Sequence, residues 1–582
     1  MPKRSGPAYV VTTTRHYNGK VYHSHLLRRS YRDGNTVRNE TLGNLSHLPD
    51  TVIELIRRSL KGETFVPASD AFQVTQSLLH GHVQAVTQAM RKLDLAGLLA
   101  SRPCRERDLV QAMVAARILA PHTKLATTRW WASTTLASAF GVEDADEQQL
   151  YAAMDWLLER QDRIQKKLAG RHLKADTTAL YDLSSSYYEG ACCPLARRGY
   201  SRDGKKGTLQ VNYGLLTDAR GCPVAISVYD GDTADPMTLM PEVARLKDAF
   251  AIESFVIVAD RGMISQKAVD VLKQQSGVDW ISALKSVSIR TLLEQGSLQP
   301  DLFDERGLFE LTSPDYPGER LVACRNPELA RLRAHKREDL LDATEANLSK
   351  IQARVAAGRL TGKDTIALAV GRIINRYKVA KHFTLAFSDT AFTFARNLEK
   401  IAAEAALDGI YVIRTSLAPT RLSGPDCVRT YKSLSQVERA FRTLKSVDLR
   451  IRPIHHRLAD RVRAHIFLCM LAYYVEWHMR EAWAPLMFTD EASDAKATRD
   501  PVAPARRSAA ALHKVSRHHL TDGTAAHSFK TLLDSLATIT RNTCRTPAAS
   551  SDDIDQTSSF QINTIASPQQ QRALDLIDTI TM

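Results

Sequence analysis

The amino-acid sequence predicts an α/β protein built around a mixed β-sheet, with a large insertion in the sheet and a small β arm and a helical region ahead of it. Three observations carry that expectation. From His172 to Lys285 the hydrophobic pattern runs three strands, helix, strand, helix, strand. The tight Ala219-Arg220-Gly221 link makes the second and third strands a hairpin, whereas helical crossovers make the later pairs parallel. Apolar helices that still need a sheet to cover resume at residue 432, after a long stretch of different character. At 582 residues the chain exceeds one compact core, and roughly 100 to 200 residues per domain gives about three to five units.

The elements follow in order. YVVTTTRHY and VYHSHLLRRSY alternate at the strand period, with turn signals at Asn18-Gly19 and Asp33-Gly34, so residues 1–65 read as a basic antiparallel arm ending in a short helix over 51–62. From 73 to 170, SLLHGHVQAVTQAMRKLDLAGLLA, RDLVQAMVAARILA and QQLYAAMDWLLERQDRIQKKL place apolar residues at i, i+3, i+4 and i+7. Residues 66–171 are therefore expected to form a helical domain, the format in which helix-turn-helix DNA readers occur. The first part of the α/β layer spans 172–289, with strands HLKADTTALYDLS, TLQVNYGLLTD, CPVAISVYDG, SFVIVAD and VDWISALK. Its helices are TADPMTLMPEVARLKDAF, with Pro236 in the first turn, and SQKAVDVLKQQ. An insertion over 290–410 holds short strands, a charged helix (ARLRAHKREDLLDATEANLSKIQARV) and a return to strand-like spacing in GRIINRYKVAKHFTLAFSDTAFTFARN. The α/β layer resumes over 411–482, ending in the buried helix AHIFLCMLAYYVEWHM. Residues 483–582 are expected to be partly flexible, because DEASDAKATRDPVAPARRSAA and TPAASSDDIDQTSS bury little apolar area.

The formal net charge is +14, from 78 Lys and Arg against 64 Asp and Glu, which favours a polyanionic partner. It is concentrated. Residues 1–45 carry eight Lys and Arg against two acids, 421–465 carry eleven against four, and 191–210 carry Arg197, Arg198, Arg202, Lys205 and Lys206 against Asp203. A single such run ordinarily marks a solvated face; three in one chain suit a long polyanion with several contact points. The eight cysteines form no C-x-x-C pair and no even framework, which argues against a disulfide scaffold or a zinc module and for a reducing compartment. No apolar run is long enough to span a bilayer, so a cytoplasmic protein with no membrane partner is expected.

Candidate catalytic residues are carboxylates. Asp176 lies in the first strand, in KADTTALYD. Asp260 ends the fourth, in VIVADRG, at the carboxyl edge where α/β layers place their sites. Glu438 lies in TYKSLSQVERAFRTLKSVDLRIRP, where Leu434, Val437, Phe441 and Leu444 form an apolar stripe and Glu438, Arg442 and Lys445 share another face at i, i+4 and i+7. Alone, such a face is an ordinary salt-bridged helix surface.

With Tyr431, Glu438 and Lys445, the segment resembles the DDE transposases of bacterial insertion sequences. It matches the IS-four-like group whose signature is Tyr, two residues, Arg, three residues, Glu, six residues, Lys. The Arg position holds Leu434, with Lys432 or Arg442 as candidate substitutes. The resemblance spans about 172–480 and includes GYSRDGKKGTLQVNYGLLTD and the long interval between the second and third acids. It implies a ribonuclease-H-like core with Asp176, Asp260 and Glu438 as catalytic and metal-binding triad for two Mg²⁺ ions, Mn²⁺ being able to substitute. Tyr431, Lys432, Arg439, Arg442, Lys445, Arg202, Lys205 and Lys206 are the candidate DNA contacts. The implied partners are double-stranded DNA, as terminal inverted repeats and as target, and a second copy of the chain in a synaptic dimer at the bacterial nucleoid. A metal-dependent nuclease without strand transfer and an inert DNA-binding protein are the alternatives. GYSRDGKK also matches G-x-x-x-x-G-K, but it precedes a strand and lacks the following Ser or Thr, so a DNA-backbone contact is preferred to a nucleotide loop.

Overall fold

In the computed structural model the described residues are 6–63, 65, 67, 71–299, 303–304, 307–492, 499–503, 506–546 and 559–581. The chain divides into a small unit, 1–77 with 542–563, and a large one, 78–541 with 564–582. The small unit carries the expected arm: β1 (Ala8–Tyr17), β2 (Lys20–Asp33) and β3 (Thr36–Asn44) form an antiparallel meander. Its turns fall at Asn18-Gly19 and Asp33-Gly34, where Asn18, Gly19 and Gly34 adopt positive φ. Helix α1 (Asp50–Leu60) buries Ile53. The segment QVTQSLL, expected at the start of a helical region, is instead strand β4 (Gln73–Leu79), which belongs to a sheet with 540–545 and 559–563. Its partner lies more than four hundred residues away, so no local period could announce the pairing.

In the large unit seven helices follow: α2 (Gly81–Lys92), α3 (Leu95–Leu99), α4 (Arg105–Leu119), α5 (Lys124–Trp131), α6 (Leu136–Phe140), α7 (Glu147–Leu158) and α8 (Gln161–His172). Then come β5 (Thr177–Tyr187), β6 (Arg197–Arg198), β7 (Leu209–Thr217), β8 (Pro223–Asp230), α9 (Pro236–Ala244), β9 (Phe255–Val258), α10 (Gln266–Leu272) and β10 (Val278–Ala283). Strands pair in the order β8-β7-β5-β9-β10, with β7 antiparallel to both neighbours and β5, β9 and β10 parallel. That order and those directions are the ribonuclease-H-like arrangement.

After α11 (Ser286–Glu294), β11 (Leu308–Leu311) and β12 (Arg320–Arg325) extend this sheet rather than leave it. The excursion proper is α12 (Pro327–Ala356), α13 (Lys363–Tyr377), the hairpin β13 (Phe383–Phe387) with β14 (Phe392–Arg396), and α14 (Leu398–Ala405). GRIINRY, expected as strand, is the end of α13: Ile366, Val370 and Ile374 recur every fourth residue and are buried with Leu341 and Leu348 of α12 in a separate core. The β-branched isoleucines imitated a strand. Arg396 pins the hairpin to α12 by meeting Glu338, Asp342 and Glu345, which stack along one face of that helix.

The chain returns as β15 (Ile410–Thr415), between β10 and β12 and antiparallel to both. Helices α15 (Gly424–Lys432), α16 (Leu434–Arg442) and α17 (Ala459–Ala482) follow. Helix α17 is buried almost all round, packing on α2, α4, α7 and β8, so the helical region and the sheet share one core instead of forming separate domains. The tail expected to be partly flexible contributes three helices, Ala509–Arg517, Phe529–Ala537 and Pro568–Asp578, of which the last two join that core through Phe529, Leu533 and Ile577. Parts of its two polar tracts, 493–498, 504–505 and 547–558, lie outside the described residues. No helix among the described residues is long and apolar enough to cross a membrane.

One buried ion pair locks the returning strand. Arg414 Nε and Nη2 donate to Glu319 Oε2 and Oε1 at 2.6 and 2.7 Å, with side chains 6% and 0% exposed. Removing Arg414 leaves the buried Glu319 carboxylate with only the longer contact to Lys273, at 3.5 Å, to offset its desolvation. Arg414→Met should therefore cost about 3–5 kcal/mol in urea unfolding, and the added change Glu319→Leu should restore most of it.

Candidate active site

The register of β5 against β9 decides which aspartates meet. Leu180 lies opposite Val258 in the parallel pair. Two residues beyond that pair come Asp182, within β5, and Asp260, just past the end of β9, close enough for the charge of Asp260 to act on Asp182. Asp176 is not there. It precedes β5, on the opposite edge, six residues or roughly 20 Å of extended chain from Asp182. Its backbone has φ +59°, its carboxylate is 69% exposed, and it faces Arg421 at 3.4 Å. Asp176 thus departs from the expected triad because Asp260 emerges at the carboxyl edge, and only the distal half of a parallel neighbour can reach that edge.

Helix α16 lies over β5 and brings Glu438 to the same place. Its stripe of Leu434, Val437, Phe441 and Leu444 is buried, as the periodicity predicts, and the Phe441 ring meets that of Tyr213 on β7 with centroids 5.8 Å apart. Glu438 projects from the exposed face. Electrostatics report the gathering. Burial first, then the neighbouring charges of Asp260 and Glu438, pushes the Asp182 carboxyl up to about 7, against the Leu183 N–H and Arg202, which pull it down. The Tyr431 hydroxyl is pushed up to about 12, by burial and then by Asp260, Asp182 and Glu438, with Arg261 opposing. Tyr431 therefore stands among all three acids. Asp260 is aimed by the backbone: its Oδ1 accepts from the Gly262 and Met263 N–H groups at 2.7 and 3.0 Å.

The basic candidates separate. Arg202 lies beside Asp182 and is paired with Asp235. Lys205 sits over the Tyr187 ring at 3.5 Å, and Lys206 is exposed. Arg439 and Arg442 are exposed on α16. Lys445 is not presented to solvent: 8% exposed, it donates to Asp203 Oδ1 at 3.0 Å. Beyond Arg442 the helix widens into a π-turn over Thr443–Val447, which takes Lys445 out of the column that starts at Glu438. Lys432 points elsewhere as well, donating to the Pro501 carbonyl. Leu434 is a core residue, 9% exposed.

The acids Asp182, Asp260 and Glu438 present oxygen ligands alone, the set a hard divalent cation takes, and their mutual repulsion at Asp182 is what such a cation relieves. Elsewhere, His172, Cys222 and His478 bring three ligand atoms within 4.8 Å of one another and offer nitrogen and sulfur. Arg171 and Arg220 beside it oppose a cation. Asp182 and Arg261 are the site residues that the sequence alone did not single out. The available signal for Asp182 was the length of KADTTALYDLS, long enough that its second aspartate, not its first, reaches the far edge.

The fold and the acid cluster define a phosphoryl-transfer enzyme on a ribonuclease-H-like core. Residues 190–475 match the transposase DDE domain family, including Asp260 and Glu438 and beginning just past Asp182, and residues 10–68 match the N-terminal domain of IS1634 family transposases. The chain belongs to the insertion-sequence DDE transposases, enzymes of DNA cleavage and strand transfer. No curated protein matches it in sequence. Among solved structures, a piggyBac transposase synaptic complex with hairpin DNA has 10% identity and a TM-score of 0.34, over 78% of this chain and 77% of that one.

The register makes a direct test. Asp182→Asn should abolish cleavage of an end-bearing duplex in a gel assay, whereas Asp176→Asn, at an exposed position on the far edge, should keep its rate within about twofold.

Proposed function

We propose that the chain binds the terminal inverted repeats of its insertion sequence, cuts at their ends and joins the released 3′-hydroxyl to target DNA, with Asp182, Asp260 and Glu438 as catalytic residues. The observation that carries this reading is the level register of Asp182 and Asp260 beneath the helix bearing Glu438. These three carboxylates would hold two Mg²⁺ ions, which supply charge neutralisation on the attacking and leaving oxygens of a phosphodiester. The chain's own residues do the rest. The backbone amides of Gly262 and Met263 fix Asp260, and α16 fixes Glu438 through its buried stripe. Tyr431 offers its hydroxyl to a phosphate oxygen beside the acids. Exposed Lys206, Arg439 and Arg442 attract the flanking backbone. Water attacks the phosphorus at the element's end and the 3′-oxygen departs; that 3′-hydroxyl then attacks a target phosphorus and expels a target 3′-oxygen. The basic arm over 1–45 contacts the repeat, the work occurs at the nucleoid, and two ends require two protomers in the synaptic complex.

A labelled end duplex, a target plasmid and Mg²⁺ should yield joined products. EDTA should remove both cleavage and joining while leaving a gel shift, and Mn²⁺ should restore them. Cleavage without joining would identify a nuclease, and binding without either step an inert reader.

A further inference from the structure

A cavity of about 550 Å³ lies elsewhere, but a smaller one, about 410 Å³, carries the unusual charge. It opens where the start of α5, the end of α4 and the segment 450–456 converge, and it is lined by Arg117, Lys124, Arg450, Arg452, His455 and His456. No carboxylate lines it among the described residues. Lys124 is 94% buried, being 6% exposed, and Arg117 is 8% exposed. Neither has a carboxylate partner among the described residues, Arg117 reaching only the Leu449 carbonyl at 3.5 Å. The acids nearby are taken: Asp203 by Lys445 and Arg452, Asp155 by Arg461, and Glu147 by Tyr151.

Two buried cations side by side without an anion are costly, and the protein registers the cost. Burial first and Arg117 second push the Lys124 ammonium down to about 7, and burial, Lys124 and Arg117 push His456 down to about 3. The α5 N-terminus faces the same space: Thr123 and Lys124 line the cavity, and although the Thr123 hydroxyl takes the Ala126 N–H, the positive end of the helix dipole adds to the potential. Arg450, on the rim, is held at φ +46°, a left-handed conformation that a non-glycine residue adopts only under constraint.

We propose that this cavity is a phosphate-binding pocket and, resting on the transposase reading, that the group it takes is a phosphate of the DNA end being processed. Its place suits that role. Arg452 shares Asp203 with Lys445, and Asp203 Oδ2 accepts the Tyr187 N–H at 3.1 Å. Tyr187 closes the strand that carries Asp182, five residues or roughly 17 Å away, a distance of about five base pairs along one strand of a duplex. A duplex end laid across the acids can therefore put a flanking phosphate into the pocket, which Lys124, Arg117 and the α5 amides would fix in register.

The test has two arms. In the first, thermal unfolding is compared in sodium phosphate and in sodium chloride of equal ionic strength. Phosphate should raise the Tm of the wild type more than that of Lys124→Met, whose uncharged side chain of similar length fills the same space, and more than that of Arg450→Ala, an exposed change that leaves the core intact. In the second arm, log Kd for a duplex of the element's end is measured against log salt. Each variant should lose about 0.9 from the slope if it removes one phosphate contact. Both effects together, or the slope change alone, assign the pocket to DNA. A phosphate-specific Tm shift with unchanged slopes supports a phosphate pocket fed from free phosphate and overturns the DNA assignment. Equal Tm shifts and equal slopes in all three proteins overturn the proposal. Asp182→Asn, run alongside, should keep both wild-type responses, so a failure of the pocket is separable from a failure of the catalytic reading.

Discussion

The molecule depends on one register. Because β5 runs parallel to β9 with Leu180 opposite Val258, Asp182 within β5 and Asp260 just past the end of β9 stand two residues beyond the same pair, and their carboxylates act on one another. A slip of one residue would send Asp182 to the opposite face, since side chains alternate along a strand. The slip is prevented by burial: Ala179, Leu180, Ile257 and Val258 are all inaccessible, and the β8-β7 hairpin on one flank and β10 on the other leave neither strand an edge. The insertion respects this arrangement. It departs after β12 and returns at β15, which itself pairs with β10, so the added mass hangs from the sheet's margin and never interrupts the pair that carries the acids.

A second constraint surrounds the first. Asp203, whose side chain is 1% exposed, receives Lys445, Arg452 and the Tyr187 N–H. Four stretches distant in sequence are thereby tied at one carboxylate: the end of β5, the basic loop before β7, the π-turn after α16 and the segment entering α17. Charge is thus arranged in layers. Among the described residues the acids of the site have no ion-pair partner, Arg202 of the loop is held beside them by Asp235, and the pocket bounded by α4, α5 and 450–456 is lined by cations and by no carboxylate.

The sequence made much of this legible, for definite reasons. The sheet order followed from local signals, a hairpin link and helical crossovers, that survive into the fold unchanged. Asp260 and Glu438 were visible because each sits at a marked place, a strand terminus and an amphipathic helix face. Asp182 was not, because choosing between two aspartates in one strand requires the register against a neighbour that begins some seventy residues later. The fate of Lys445 was hidden for a similar reason: seven residues after Glu438 means the same face only if the helix stays α, and the π-turn breaks that rule. The strand at Gln73–Leu79 and the union of helical region with sheet are long-range facts, decided by α17 and by the far end of the chain.

Leu434 fits the packing of α16 as a leucine. The position is 9% exposed, on the stripe that seats α16 against the sheet, among Val437, Phe441 and Leu444. An arginine there would need a partner acid or would lie as a charge in an apolar contact, which costs several kcal/mol in the absence of compensation. Leucine strengthens the very contact that holds Glu438 in place. Arg202, from the loop before β7, and Arg261, the residue after Asp260, are near enough to act on the ionisation of the acids or of Tyr431. The helix thus seats Glu438 through its buried stripe while Arg439 and Arg442 remain on its exposed face.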